Sequence, residues 1–304
     1  MRIQVDGARL FVDVDGAKWV PDGAVMRERP TLVLLHGGPG LDHSSFKSEL
    51  FALRDEMQLV YLDHRGNGRS DRSTPDRWTL EQWADDVRAV CEALGIERPV
   101  VMGQSFGGFV AQVYAARHPE HPAGLIFSST SGRFDRARNL AAFERLGGRE
   151  CLEAASAFYD APSAQTLPDF VTKCMPLYNR HFSDPDGLAR TIVNVDVLLH
   201  FFTEVYPGCD LLPGLAGVRC PALVLGGEDD PTTPIEDQVD IANALPREWV
   251  EFHRFADCGH GAYRDQPDRA LPIIRDFVRR AFEAVAQPGA APAISRLRPP
   301  PAAS

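Results

Sequence analysis

The stretch Gly103-Gln104-Ser105-Phe106-Gly107 constrains this chain more than any other, because of what stands on either side of it. Pro99-Val100-Val101-Met102 reads as a short buried strand, and Phe109 to His118 as a helix that Pro119 ends. A strand that turns into a helix around one serine needs a very tight backbone. The residues two before and two after must then lack side chains, and the hydroxyl is held out above the sheet. Gly-x-Ser-x-Gly alone occurs by chance, but between a strand and a helix it is a nucleophile elbow. Ser105 is therefore the candidate nucleophile.

In a chain built around such an elbow, the acid and then the histidine follow the serine. Of nine histidines, only His253 and His260 come after both Ser105 and a suitable acid. His253 lies in the strand-like run Trp249–Phe255, where the pleat fixes its direction. His260 lies in the loop Asp257-Cys258-Gly259-His260-Gly261, free to turn towards a serine, and is the expected base. The acid is expected after the apolar strand Ala222–Gly226, where Glu228, Asp229 and Asp230 compete. Asp230 is favoured, since Pro231 stiffens the backbone after it and Gly227-x-x-Asp230-x-x-x-Pro234 has the spacing usual in this arrangement; Asp229 is the runner-up. The acid would fix the imidazole tautomer and stabilise the imidazolium. The strand Thr31–Leu35 runs into His36-Gly37-Gly38-Pro39-Gly40. An oxyanion hole would take one amide from Phe106, after the nucleophile, and a second from this loop, with Gly38 as the expected donor.

Three motifs carry a family resemblance: His36-Gly37-Gly38-Pro39-Gly40, Asp63-His64-Arg65-Gly66-Asn67-Gly68-Arg69-Ser70, and the serine elbow. With them the chain resembles the α/β-hydrolases, and within these the proline iminopeptidases (prolyl aminopeptidases), over roughly residues 25 to 285. The resemblance implies a mostly parallel, doubly wound α/β sheet with an inserted helical cap. It also implies Ser-His-Asp acyl transfer without metal or organic cofactor, and release of an N-terminal residue, proline above all, from short peptides. In this reading Arg65 is structural. Gln104 and Phe106 depart from the Gly and the Trp or Tyr that iminopeptidases carry at the elbow. A carboxylesterase or lactonase acting on a small ester through the same triad is the alternative, and a non-catalytic binder on this fold a distant third.

The βα rhythm supplies the boundaries. Residues 1–131 read as the first part of the core, 132–217 as the cap, 218–286 as the rest of the core, and 287–304, rich in Pro and Ala, as a disordered tail. Antiparallel strands are expected near Arg2–Val5 and Leu10–Asp13, and a helix over Ser45–Glu56. A second helix should start at a Thr79–Gln82 capping box, and a last one should run from Pro267 to Ala286. Iminopeptidases hold the substrate's free amino group with carboxylates. Glu204, beside the aromatic cluster Phe201, Phe202 and Tyr206, is the cap residue expected to do so here.

A net charge of −10 excludes nucleic acid and anionic membranes as partners and leaves a small molecule or short peptide. No apolar signal core or membrane-length run is visible, and the six cysteines show no paired or metal-ligand spacing. Reduced thiols in a cytoplasmic enzyme are the expectation.

Overall fold

In the computed structural model, which describes residues 1–286 except 183, eight strands form one sheet. They are β1 (Arg2–Val5), β2 (Ala8–Asp15), β5 (Thr31–Leu35), β6 (Gln58–Leu62), β7 (Val100–Gln104), β8 (Gly124–Ser128), β9 (Ala222–Gly227) and β10 (Val250–Phe255). Their order is β1-β2-β6-β5-β7-β8-β9-β10; β1, β2 and β6 pair antiparallel, and every later neighbour is parallel. Strands β5, β7, β8 and β9 are buried throughout, which is why each reads as an unbroken apolar run with no alternation. A separate hairpin, β3 (Trp19–Asp22) and β4 (Val25–Glu28), stands apart from the sheet.

The helices are α1 (Leu80–Ala93), α2 (Phe106–Arg117), α3 (Arg136–Asp160), α4 (Leu167–Lys173), α5 (Gly187–Arg190), α6 (Val195–His200), α7 (Leu212–Leu215), α8 (Ile235–Ala244), α9 (Ala262–Asp265) and α10 (Pro267–Ala286). Thr79 caps α1 as its sequence predicts, its hydroxyl accepting from the Gln82 amide at 3.1 Å. The reciprocal half of the capping box is absent, because the Gln82 side chain donates to Asp86 Oδ1. The helix expected over Ser45–Glu56 is two separate 3₁₀ turns, His43–Phe46 and Leu50–Asp55. Asp42 sets the first of these by accepting from the Ser44 amide. The tail 287–304 lies outside the described residues.

Between β8 and β9 the chain is helical, as α3 to α7, with one isolated bridge between Arg133 and Asp210. This insertion has its own apolar centre, in which Phe143, Phe158 and Phe170 pack with Cys151 and Cys174. The two thiol sulfurs are 3.2 Å apart, both side chains are buried, and burial pushes their pKa values up. All six cysteines are free. No helix among the described residues is long and apolar enough to cross a membrane.

Candidate active site

Ser105, Asp230 and His260 follow β7, β9 and β10, and Gly38 follows β5, so all four stand at the carboxyl ends of parallel strands. In open α/β sheets this is where ligands bind. Ser105 has φ 53° and ψ −118°, a conformation rarely adopted by a residue with a side chain. Its amide donates to Ser128 O at 3.0 Å, and its carbonyl accepts from Thr130 Oγ1 at 2.7 Å. Both partners belong to the end of β8 or the loop beyond it, so the neighbouring strand holds the strained turn in place.

The glycines of the elbow are explained by contact. A Cβ on Gly103 would lie 2.3 Å from Gly107 O, and one on Gly107 only 2.0 Å from Leu35 O. A third glycine, Gly108, abuts Thr130 Oγ1 at 2.3 Å in the same sense. Strand β5 and helix α2 can approach this closely only without side chains between them.

Asp230 and His260 come together as the sequence predicts, with His260 Nδ1 donating to Asp230 Oδ2 at 2.8 Å; both residues are buried. The Thr233 hydroxyl donates to the same oxygen at 2.8 Å, while the amides of Thr232 and Thr233 donate to Oδ1 at 3.0 and 2.9 Å. The carboxylate is thus saturated with donors. Asp229 is turned the other way: it meets Arg145 Nη1 at 3.1 Å and Arg180 at 3.8 Å, both from the helical insertion. Its place is a latch between the acid loop and the insertion, which Asn139 reinforces by donating to Thr232 O. His253 sits on β10 and pairs with Glu251, remote in role from the site.

The histidine loop is held from the insertion side as well. His260 N donates to Tyr178 O at 2.5 Å, and the Tyr178 ring stands edge-on to the imidazole with centroids 5.1 Å apart. Asp265, five residues beyond His260, clasps the two segments together. Its Oδ1 accepts from the amides of Arg180, His181 and Phe182, and its Oδ2 from those of Arg180 and Gly259. Burial pushes the Asp265 pKa up, but these backbone amides outweigh it and leave a net lowering.

On the other side, Asp63 and Asn67 of the second motif scaffold the glycine loop. Asp63 accepts from the His43 ring at 2.6 Å and from the Arg69 amide at 2.8 Å, and Asn67 accepts from Gly40 N at 2.7 Å. Burial raises the Asp63 pKa, but its bond to His43 and the charges of His36 and His43 bring it down to about 2. Arg65 is buried in a two-pronged pair with Asp86 at 2.9 and 2.6 Å, a structural role in keeping with the sequence reading. Beside the acid loop, burial pushes Asp237 up to about 7 despite its pairing with Arg138.

A cavity of about 240 Å³ lies over the elbow, lined by Gly38, Ser105, Phe106 and His260 from the core. Most of the remaining lining is apolar and comes from the insertion: Phe158, Phe170, Met175, Leu198, Phe201 and Phe202 among others. Among the described residues Arg264 is the one Lys or Arg that lines the cavity, and no Asp or Glu does. Phe106, at the first turn of α2, has an amide with no partner within the helix. Gly38 has φ +124°, open only to glycine without strain.

Glu204 requires correction. It is exposed and does not line the cavity; the residues that turn inward from the same segment are Phe201, Phe202 and Tyr206. Phe201–Val205 winds as a π-helix, and its apolar side packs against Phe109 and the elbow residue Phe106. That packing leaves the carboxylate facing water. Sequence reasoning passed over Tyr178, Thr233, Arg264 and Asp265.

An elbow serine, an acid-histidine pair on the next loops and a glycine loop at one cavity define a hydrolase of the α/β class. Residues 30–267 match the alpha/beta hydrolase fold family, and the chain belongs to it. It is similar to the proline iminopeptidase of Lactobacillus helveticus, at 26% identity over 275 residues, covering 83% of this chain and 90% of the relative. A solved proline iminopeptidase from Mycobacterium smegmatis superposes with a TM-score of 0.74 at 24% identity, covering 94% of this chain and 99% of that one. The enol-lactonase of Burkholderia xenovorans LB400 superposes at 0.64 with 23% identity, covering 92% and 100%. At those identities the two structures bear on the fold alone.

Proposed function

We propose that this hydrolase cleaves a carboxylic ester or lactone whose acyl or alkyl part is uncharged and apolar, through Ser105, His260 and Asp230. His260 Nε2 takes the Ser105 proton as Oγ bonds to the scissile carbonyl carbon. The amides of Phe106 and Gly38 hold the oxyanion, and a missing donor of this kind costs roughly a hundred- to a thousand-fold in rate. The carbon–oxygen bond to the leaving alcohol then breaks, and the alkoxide recovers the proton from His260. Water repeats the cycle, giving its proton to His260 and its oxygen to the acyl carbon, which frees the acid and Ser105. Asp230, held by three donors besides His260, keeps Nδ1 protonated and steadies the imidazolium.

The observation that carries the substrate class is the cavity lining, which is mostly aromatic and aliphatic, with Arg264 as its cation and no carboxylate among the described residues. A free α-ammonium brought into such a space would lose its hydration without a counter-charge, which is costly. The second reading, release of an N-terminal proline, draws its support from the relatives named proline iminopeptidase. A paired assay separates the two. The purified protein is given p-nitrophenyl butyrate and proline β-naphthylamide, with an N-blocked proline amide as control. Ester turnover with the free-amine amide untouched is expected; turnover of that amide but not of its blocked form would overturn the proposal in favour of the aminopeptidase.

A further inference from the structure

The exposed large apolar side chains among the described residues fall into two groups. Met1, Trp19, Val25 and Met26 belong to the N-terminus and the β3–β4 hairpin. Leu188, Val193 and Val195 lie within eight residues of one another in the helical insertion, exposed by 58%, 41% and 38%. Leu188 and Val193 also line the cavity over Ser105, so apolar side chains of its lining reach the outside. Single exposed apolar residues are ordinary, but a cluster continuous with a binding cavity marks a contact surface.

This rim is also anchored to the catalytic face. Ile192 N donates to Asp42 Oδ2 at 3.0 Å, Asn194 N donates to Gly40 O at 2.7 Å, and Asn194 Nδ2 donates to Gly66 O at 2.8 Å. Gly40 in turn crowds the rim segment, since a Cβ there would lie 2.4 Å from Asn194 O. The rim is therefore held over the glycine loop that carries Gly38, and Leu41 of that loop lines the cavity beside it.

Resting on the reading under Proposed function, we infer that the substrate is a medium- or long-chain ester whose apolar chain outgrows the cavity and lies across Leu188 and Val193. The chain belongs to the acyl half or to the alcohol half, and both present the same chemistry to this surface.

Two ester series below their critical micelle concentrations test this. In one, p-nitrophenyl acetate, butyrate, octanoate and dodecanoate lengthen the acyl half; in the other, ethyl, butyl, octyl and dodecyl butyrate lengthen the alcohol. A fully desolvated methylene strengthens binding about fourfold, so in at least one series kcat/KM should rise at least tenfold from the four-carbon to the eight-carbon member. Which series rises identifies the half that crosses the rim. Leu188→Asp and Val193→Asp should lower the ratio of kcat/KM for the twelve-carbon over the four-carbon member about tenfold. A fall beyond four carbons in both series, or a ratio that the two variants leave where it was, would overturn the inference while short-ester turnover still upheld the parent reading. Absence of turnover for every ester would instead sink the parent reading, and this one with it. The wild-type series decides the matter even if a variant folds poorly.

Discussion

Replacing Asp265 with Asn should disable the enzyme without touching any atom that meets the substrate. The carboxylate accepts five hydrogen bonds from four backbone amides, three in the insertion and one, Gly259, in the loop that carries His260. An asparagine has one accepting oxygen. Directed at Arg180, His181 and Phe182, it turns its amino group against the Gly259 N–H, now 2.7 Å from Oδ2, so that two donors face each other. Reversed, it abandons the insertion. The first arrangement loses fewer bonds and delivers the damage beside His260. A hydrogen bond to a charged group contributes about 1.5–3 kcal/mol, and a stranded buried N–H costs about 1–3 kcal/mol, so a loss of about 3 kcal/mol is expected. In a chain of this size that amounts to about 5 °C in melting temperature. Displacing the imidazole by a fraction of an ångström to 1 Å should lower kcat by roughly 10- to 100-fold. The variant is assayed on p-nitrophenyl butyrate for kcat and KM separately, with Ser105 counted by active-site titration and melting followed by circular dichroism. The downfield Nδ1 proton of His260 is recorded by NMR. A variant that melts lower but keeps wild-type kcat and the downfield resonance would refute the reasoning, since Asp265 would then stabilise the fold without positioning His260.

Further predictions concern the acid loop and the response of the fold to pH. Asp230→Asn should lower kcat by several orders of magnitude, as expected when the imidazole is held in the wrong tautomer. Asp229→Asn, which loosens only a partly exposed latch to Arg145 and Arg180, should cost less than about threefold in kcat; equal losses would mean that Asp229 shares the role. In the acid range, burial pushes the His121 pKa down to about 4, so His121 supplies stability that is complete above pH 6.5 and lost as pH falls towards 4. That loss is about 3 kcal/mol. Asp63, lowered to about 2, supplies about 2 kcal/mol that is present above pH 3.8 and lost between there and pH 2. Asp237, raised to about 7, works in the opposite sense, losing stability as pH rises from 3.8 to 7. Urea midpoints of wild type and His121→Asn at pH 7, 5 and 4 isolate the histidine; parallel curves would remove it from the account.

The core was legible because its determinants are local. Ser105 announces itself through glycines two residues away and the apolar run before them, and the buried parallel strands read as unbroken hydrophobic runs. The preference for Asp230 over Asp229 rested on a proline and a spacing; in the structure the two are separated by which loop amides and which arginines face them. What could not be read depends on the insertion, where contacts join residues far apart in the chain. Asp265 reaches the amides of residues 180–182, about eighty positions earlier, and backbone amides leave no trace in side-chain identity. Glu204 was misplaced because a charge next to three aromatics looks the same whether the aromatics turn into a pocket or pack on the core with the charge outward. The β3–β4 hairpin escaped for a related reason: exposed on both faces, it has no alternation to betray it.

The paired thiols at the centre of the insertion provide a built-in clock. Cys151 and Cys174 are both buried, and their raised pKa values keep them protonated and slow to react with a thiol reagent in solution. A reagent should reach them when the apolar centre they share with Phe158 and Phe170 opens, and those two side chains also line the cavity over Ser105. The rate at which a bulky disulfide reagent consumes these two sulfurs is thus a measure of how often the roof of the cavity opens, free of any assumption about substrate. An apolar inhibitor seated against that roof should slow the clock, and a detergent monomer that enters and leaves should leave its own signature in the labelling rate.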